Sequence, residues 1–363
     1  MSKKRVYLTD TKLWKDICES DANVKMLLSD RGPGKSYAVK DYCMKDALNG
    51  RPFVYLRRMD IDLKAGSMTE YMADYQLMDL TSEYDSFTDF KSRLYLGNRN
   101  EDGRVSRDKF IAFGCYLSGE THYKSNAMFA AEHTKNIIYE EFVTDAIYLA
   151  KEPVHLESFY STVKRDQTDV TLWLIGNSLS RVNPYFTHWS LSHVPRQAVG
   201  TIERYIHSYD DESGEHRTIS IDVCIIPMLK GQESGWISTK KQKNTIWITR
   251  DFPHLADRKE TYDVLHTVFL DAGLYRFRLE LLQDHLTTFW YIEPFTKTIA
   301  PTARIVGLDY ATIRGYLYGS VGFIPLNDRE RTAFALLSQG QYCVCDNLTG
   351  EDFDSVWKNM KRL

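Results

Sequence analysis

The chain has 363 residues, more than one hydrophobic core usually serves, so two domains and a joining piece are expected. Apolar residues make up 43% and charged residues 26%, an ordinary globular balance with ample material for a core. The net charge of −3 gives no global sign of a nucleic-acid partner, although a protein that must also release DNA needs only a few local phosphate contacts.

The amino terminus, Met1 to Arg5, is basic but runs within a few residues into Thr9-Asp-Thr-Lys12, so no signal peptide is expected. No apolar run approaches the roughly 18 residues of a membrane span, so no membrane partner is expected. The first predicted strand is Val24 to Leu28, which leads straight into Ser29-Asp-Arg-Gly-Pro-Gly-Lys-Ser36. Tyr37, Ala38, Tyr42 and Ala47 then fall at helical spacing, ended by Asn49-Gly50. Phe53 to Leu56 is a second strand with Arg57 and Arg58 at its exit. Residues 60–92 are polar and rich in Met, with helical character but no clean stripe. Arg93 to Leu96 and Phe110 to Leu117 read as a hairpin around the turn-rich stretch Gly97 to Gly103. Strands at Asn136–Tyr139 and Val170–Ile175 flank a helix predicted over Pro153–Lys164. Strands separated by helices predict an α/β domain with a mostly parallel sheet.

Composition shifts near residues 195–245. Polar stretches at Tyr209–Glu215, Gly231–Gly235 and Lys240–Lys243 surround a single apolar run, Val223 to Leu229, and predict a linker subdomain. Beyond it, Tyr275, Phe277, Leu279 and Leu281 alternate with Arg276, Arg278 and Glu280, the period of a half-buried strand whose hairpin partner is Thr288 to Ile292. A helix is expected over Arg329–Leu337, and a last one places Phe353, Val356, Trp357 and Met360 on one face. The six cysteines include no C-x-x-C. Cys343 and Cys345 form only a C-x-C whose side chains share a strand face, which fits structural thiols in a reducing compartment.

Four groups carry candidate chemistry. Arg31-Gly-Pro-Gly-Lys-Ser36 lies between a strand and a helix. There glycines let backbone N–H groups turn around a phosphate, Lys35 reaches its oxygens, and Ser36 offers a hydroxyl to Mg²⁺. The helix that follows aims its positive end at the same anion. The full pattern has glycine where this chain has Ser29. The second group is Glu140 and Glu141 at the end of an apolar strand, suited to holding a metal shell and polarising a water. Glu140 stands where aspartate is usual. The third is Asn177, a polar amide ending another strand, and the fourth is Arg165 at a helix end.

With these residues in place, the chain resembles the DNA-encapsidation ATPases of small Picovirinae-type podophages, relatives of the large terminases. The matching stretches are Arg31-Gly-Pro-Gly-Lys-Ser-Tyr-Ala-Val-Lys40, Phe53-Val-Tyr-Leu-Arg-Arg58, Lys124-Ser-Asn-Ala127, Ile137-Ile-Tyr-Glu-Glu-Phe142 and Gly176-Asn-Ser-Leu-Ser-Arg-Val-Asn-Pro-Tyr-Phe186. They run through about the first 190 residues, and the C-terminal likeness is confined to the order of strands and helices. The resemblance implies a P-loop NTPase domain of the ASCE type over residues 1–195. A linker over 196–245 and a small α+β, RNase H-like domain over 246–363 follow, the latter nuclease-derived and non-catalytic. ATP binding falls to Asp30, Arg31, Gly32, Pro33, Gly34, Lys35, Ser36, Tyr37 and Asn177. Ser36 and Glu140 hold Mg²⁺, and Glu141, Lys35 and a trans-acting Arg165 are catalytic. Lys64 and Lys124 lie in segments that in the family face DNA or a neighbouring subunit. The expected work is ATP-driven translocation of double-stranded DNA by a homopentameric ring docked on the procapsid portal in the host cytoplasm, in some members with a structural RNA.

Two other readings stay open. A terminase-like protein with both ATPase and nuclease activities needs clustered carboxylates for two metals, and Asp271, Glu293, Asp309 and Asp346 lie near predicted strand ends without a spacing that singles out a triad. A nucleotide-binding subunit that has lost hydrolysis is supported by Ser29 and Glu140 alone.

Overall fold

Val24–Ser29 (β1) is buried along its whole length, the pattern of a strand flanked on both edges and covered on both faces. The computed structural model describes residues 6–30, 32–64, 66–118, 133–144, 148–164, 167, 169–177, 183–210, 214–229, 252–255, 262–272, 274–283, 287–298, 303, 305–309, 314–319, 322–323 and 328–360. The chain forms two units. The first is Met1–Val143 with Glu152–Ser178 and Arg196–Ser238, and the second is Thr144–Lys151 with Leu179–Pro195 and Thr239–Leu363.

The first unit is built on β1 and on β2 (Phe53–Arg57), β3 (Ser86–Phe90), β4 (Arg93–Gly97), β5 (Lys109–Tyr116), β6 (Asn136–Glu140), β7 (Thr171–Asn177), β8 (Ile202–Asp210) and β9 (His216–Ile225). Among the described residues these make one sheet in the order β3-β4-β5-β2-β6-β7-β1-β9-β8. From β5 to β9 the neighbours run parallel, and the antiparallel strands β3, β4 and β8 finish the two edges. The centre is therefore a mixed α/β architecture with a mostly parallel sheet, as the alternation of strand and helix predicts.

Helices α1 (Lys12–Glu19) and α2 (Lys35–Leu48) help cover the sheet. Thr11 caps α1 by accepting from the Trp14 amide at 3.1 Å, and Trp14 then stacks on Trp173 of β7 at 5.8 Å. Trp173 donates its indole N–H to Asn136 Oδ1 at 3.0 Å, and the Asn136 amide donates to Asp46 of α2 at 2.9 Å. Each polar atom this cluster buries is thus paired, as burial requires. Two further helices of this unit are α3 (Ser67–Tyr71) and α4 (Glu152–Lys164).

The expected linker over 196–245 is not one where the structure describes it. Ile202–Asp210 and His216–Ile225 pair as the antiparallel strands β8 and β9, and β9 pairs in parallel with β1 from Val24↔Ile221 to Leu28↔Ile225. The cause is burial: Ile219, Ile221, Val223, Cys224 and Ile225 fill the edge that β1 leaves open. Strand β8 hides its role in sequence because its exposure alternates residue by residue and its partly buried positions include Glu203, His207 and Tyr209. The boundary expected at 195 also shifts, because Leu179–Pro195 groups with the second unit. There Asn183 caps α5 (Pro184–His188) by accepting from the Phe186 amide at 3.1 Å.

The second unit carries β10 (Asp263–Ala272), β11 (Tyr275–Gln283), β12 (Thr288–Pro294), β13 (Ile305–Asp309), β14 (Arg314–Gly319), β15 (Gly322–Phe323) and β16 (Tyr342–Val344), with α6 (Asp328–Ser338) and α7 (Asn347–Met360). The described sheet order is β15-β14-β13-β10-β11-β12-β16. Strands β10, β11 and β12 form an antiparallel meander, and β13 joins β10 in parallel. The stripe on α7 buries Phe353, Val356 and Trp357 against this sheet, while Trp290 of β12 stacks on Phe334 of α6 and donates to the Ala333 carbonyl at 2.8 Å. The predicted period of two in β11 is realised in the buried Phe277, Leu279 and Leu281.

Candidate functional site

Parallel strands leave a crevice beyond their carboxyl ends, and a reversal of strand order opens it. In the first unit β1, β6 and β7 end at Ser29, Glu140 and Asn177. The registers Ser29↔Asn177 and Glu140↔Ile175 bring these three ends side by side, with β7 between the other two. Gly176 in β7 is needed for this closeness, since a methyl group there would come within 2.7 Å of the Phe142 ring.

From β1 the chain turns into α2 through Gly34, whose φ of +83° favours glycine for its dihedral, since a side chain there would meet nothing within 4 Å. The unpaired amides of the first turn of α2 follow directly, and with the helix dipole they favour an anion at this end. Lys35 is the first residue of α2 and is buried. Its ammonium donates to Ser29 Oγ at 2.5 Å, to the Asp30 carbonyl at 3.1 Å and to Asn177 Oδ1 at 3.3 Å. Burial lowers its pKa to about 8, while the carboxylates of Asp30 and Glu140 pull the other way. The serine that replaces the pattern's glycine therefore supplies an acceptor for the lysine.

Opposite stands Glu140. Burial raises its pKa, countered by a hydrogen bond with Ser36 and by the charges of Lys40 and Arg57. Tyr71 also donates to its Oε1 at 3.4 Å. Ser36 and Glu140 thus bring two hard oxygen donors into contact, the chemistry that suits a small divalent cation sharing its shell with water and phosphate.

Glu141 follows in the left-handed region at φ +56°, a conformation costing a non-glycine residue roughly 1–2 kcal/mol. A guanidinium holds it there. Arg58 donates to the carbonyls of Glu141 and Phe142 at 3.2 and 3.0 Å and forks onto both carboxylate oxygens of Glu152 at 2.9 and 3.0 Å. Glu152 is wholly buried and also accepts from the Tyr139 hydroxyl at 2.8 Å. The Glu141 carboxylate itself stays 59% exposed and accepts from Arg57 at 3.2 Å.

These groups line a cavity of about 280 Å³ that includes Gly32, Gly34, Lys35, Ser36, Tyr37, Glu140, Glu141 and Asn177. The structure therefore brings most of the sequence-predicted residues to one place. Lys64 lies elsewhere, exposed at the end of a short 3₁₀ turn. Arg31, Lys124 and Arg165 lie outside the described residues. Arg57, Arg58, Glu152, Tyr71 and the cavity-lining Asp74 belong to the site without a signal that singled them out in the sequence. The paired arginines at the exit of β2 were visible, but their reach to Glu141 depends on β2 lying beside β6.

In the second unit three of the four acids near strand ends have structural partners, and the side chain of Asp309 lies outside the described ones. Asp271 pairs with Arg276 at 3.2 Å, and Glu293 pairs with Arg278. Asp346 accepts from the Thr349 amide at 2.7 Å at the start of α7. Burial pushes its pKa up, but hydrogen bonds with Thr349 and Cys345 outweigh that and leave it lowered.

The Arg58–Glu152 pair generates a prediction. Arg58→Ala leaves the buried Glu152 carboxylate without its cation and lowers stability by about 3–5 kcal/mol, whereas replacing both residues with methionine recovers most of the loss. Denaturant midpoints of the three chains check this.

The podovirus DNA encapsidation protein (Gp16) family model matches residues 4–212. The DNA packaging proteins of Bacillus phages phi29 and PZA are each 26% identical over 200 residues, 53% of this chain and 51% of theirs. That of Bacillus phage B103 is 27% identical over 176 residues, 47% of this chain and 49% of its own. The chain spans about half the length of the curated relatives it matches. Among solved structures, the bacteriophage Phi-29 viral genome packaging motor assembly aligns over 96% of this chain and 98% of its own, at 19% identity and a TM-score of 0.52. That likeness speaks to the fold alone.

Proposed function

The chain belongs to the podovirus DNA encapsidation protein family, and on that premise we propose that it is an ATPase that drives double-stranded viral DNA into a procapsid. The observation that carries the proposal is the crevice where Lys35 and Ser36, at the start of α2, face Glu140 and Glu141 at the end of β6. A strand inserted between the loop strand and the acid strand supports the reading of a P-loop NTPase of the ASCE type.

The mechanism follows from what each side chain does. The amides at the start of α2 and the Lys35 ammonium bind the β- and γ-phosphates, with Lys35 leaving its contacts on Ser29 and Asp30. The buried charge then gains a dianionic partner in place of neutral oxygens, so phosphate binding opposes the depression of its pKa. Ser36 and Glu140 would hold Mg²⁺, whose donor set they fit, and the ion would supply neutralisation of charge on the phosphate oxygens. Asn177, at the tip of β7, is placed to sense the γ-phosphate. Glu141 orients a water and accepts its proton as oxygen attacks the γ-phosphorus, and the bond to the bridging oxygen breaks to leave ADP and phosphate. Its left-handed backbone, fixed by Arg58, aims the carboxylate at the cavity. Arg31 in the loop and Arg165 from a neighbouring subunit complete the charge stabilisation. Hydrolysis around a homopentameric ring moves DNA through phosphate contacts that read no sequence, for which Lys64 and Lys124 are candidates. The portal is the docking partner in the host cytoplasm, with a structural RNA as a further one.

For the second unit we infer a nuclease-derived, RNase H-like domain without nuclease activity. The meander β10–β11–β12 with β13 parallel to β10 supports the derivation. The structural engagement of Asp271, Glu293 and Asp346 supports the loss of activity.

Two assays test these readings. Steady-state ATP turnover rises with double-stranded DNA and falls about 10²–10⁴-fold in Glu141→Gln; turnover that the substitution leaves intact removes Glu141 as the base. No metal-dependent nicking of plasmid is expected, and nicking that Asp309→Ala abolishes would restore the terminase-like reading.

A further inference from the structure

The crevice at Lys35 is not the largest opening in the first unit. A cavity of about 440 Å³ lies between the carboxyl half of α4 and the hairpin β8–β9, the same hairpin that completes the sheet beside β1. Lys164 of α4 and Arg217 of β9 line it, together with Ser161, Thr162, Gln167, Tyr209 and Thr218. Volume and polarity place it in the range of small-molecule sites.

The charges in its walls each have a neighbour. Glu157 lines the cavity, but its carboxylate is turned to His207 at 3.2 Å. Asp210 is likewise turned to His216 at 3.0 Å. Lys164 rests its ammonium over the Tyr160 ring at 5.5 Å. Arg217 holds Glu215, an exposed residue that does not line the cavity. Two cations and two carboxylates thus line one space, with the carboxylates hydrogen-bonded to imidazoles and Arg217 paired with Glu215. Burial, and then the positive charge of Arg217, lower the Lys164 pKa, so an anion between the two would relieve their repulsion. Hydroxyls stand at hand: Ser161 Oγ and the Tyr209 hydroxyl lie 3.2 Å apart and tie α4 to β8.

We propose that this cavity is a second anion site, which binds a phosphate group between Lys164 and Arg217 with hydroxyl support from Ser161 and Tyr209. Arginine's planar fork and a lysine point charge are the usual pair for such an oxyanion. Its volume, far beyond that of a carboxylate, accommodates a phosphate ester or diphosphate. The phosphate has two possible sources, a nucleic-acid backbone or a free phosphorylated compound. The inference does not rest on ATP hydrolysis at Lys35. It does bear on α4, since Lys164 is the last residue of that helix and directly precedes Arg165 in sequence.

The test is calorimetric titration of pyrophosphate into the full chain carrying Lys35→Ala, which weakens the competing loop site. Saturable residual binding is expected, weakened at least about tenfold by adding Arg217→Gln or Lys164→Gln and largely kept by Arg217→Lys. Both substitutions alter partly or fully exposed side chains, and an unchanged melting temperature verifies the fold. A short DNA duplex that displaces pyrophosphate, and binds less well to the Arg217→Gln chain, assigns the site to a nucleic-acid backbone; a duplex that leaves pyrophosphate bound assigns it to a free phosphate compound. Absence of residual binding, or residual binding indifferent to both substitutions, overturns the proposal whatever the ATPase assay shows.

Discussion

A buried ammonium and a buried carboxyl share the crevice at the ends of β1, β6 and β7, and much of the first unit serves to keep them there. Neither ion is cheap to remove from water, and each shows the strain in its own titration. Burial lowers Lys35 to about 8 and raises Glu140. The parallel sheet makes the arrangement possible because only parallel strands deliver several chain ends to one side. The left-handed glycine before α2 then points a helix start, with its unpaired amides, into the same space.

Around this pair the structure satisfies each group provisionally. Lys35 is held by Ser29, Asp30 and Asn177, and none of these contacts is to an anionic side chain. A phosphate can displace them without breaking an ion pair. By contrast, the groups that must not move are locked: Arg58 forks onto the buried Glu152 and also grips the carbonyls of Glu141 and Phe142. Exchangeable contacts on the side chain that meets ligand and fixed ones beneath the acid that aims at it form a sensible division for a binding crevice.

Much of this was legible in the sequence. The run from Val24 into Gly-Pro-Gly-Lys-Ser announced strand, turn and helix, and Asn136–Glu140 announced a strand ending in acids, because apolar runs and glycine turns are local properties. What could not be read was adjacency. That Glu140 meets Ser36, or that Arg57 and Arg58 reach Glu141, depends on the order in which strands pair, and one sequence does not state that order. Strand β8 was missed for a different reason: its alternating exposure gave it the composition of a surface loop, and the charged residues after Tyr209 strengthened that impression. Ser29, a departure from the glycine pattern, became intelligible only once its hydroxyl was seen beneath Lys35.

The contact between Ser36 and Glu140 is where loop and acid strand become one site, so a double-mutant cycle on it is the most direct test. Mg²⁺–ATP affinity would be measured for the unaltered chain, Ser36→Ala, Glu140→Gln and the double substitution. Shared ligation of one ion predicts strong non-additivity, with the double variant little weaker than either single one and a coupling of about 1–3 kcal/mol. Independent, additive losses would mean that the two oxygens do not serve a common ion, and the proposed ATPase centre would have to be abandoned.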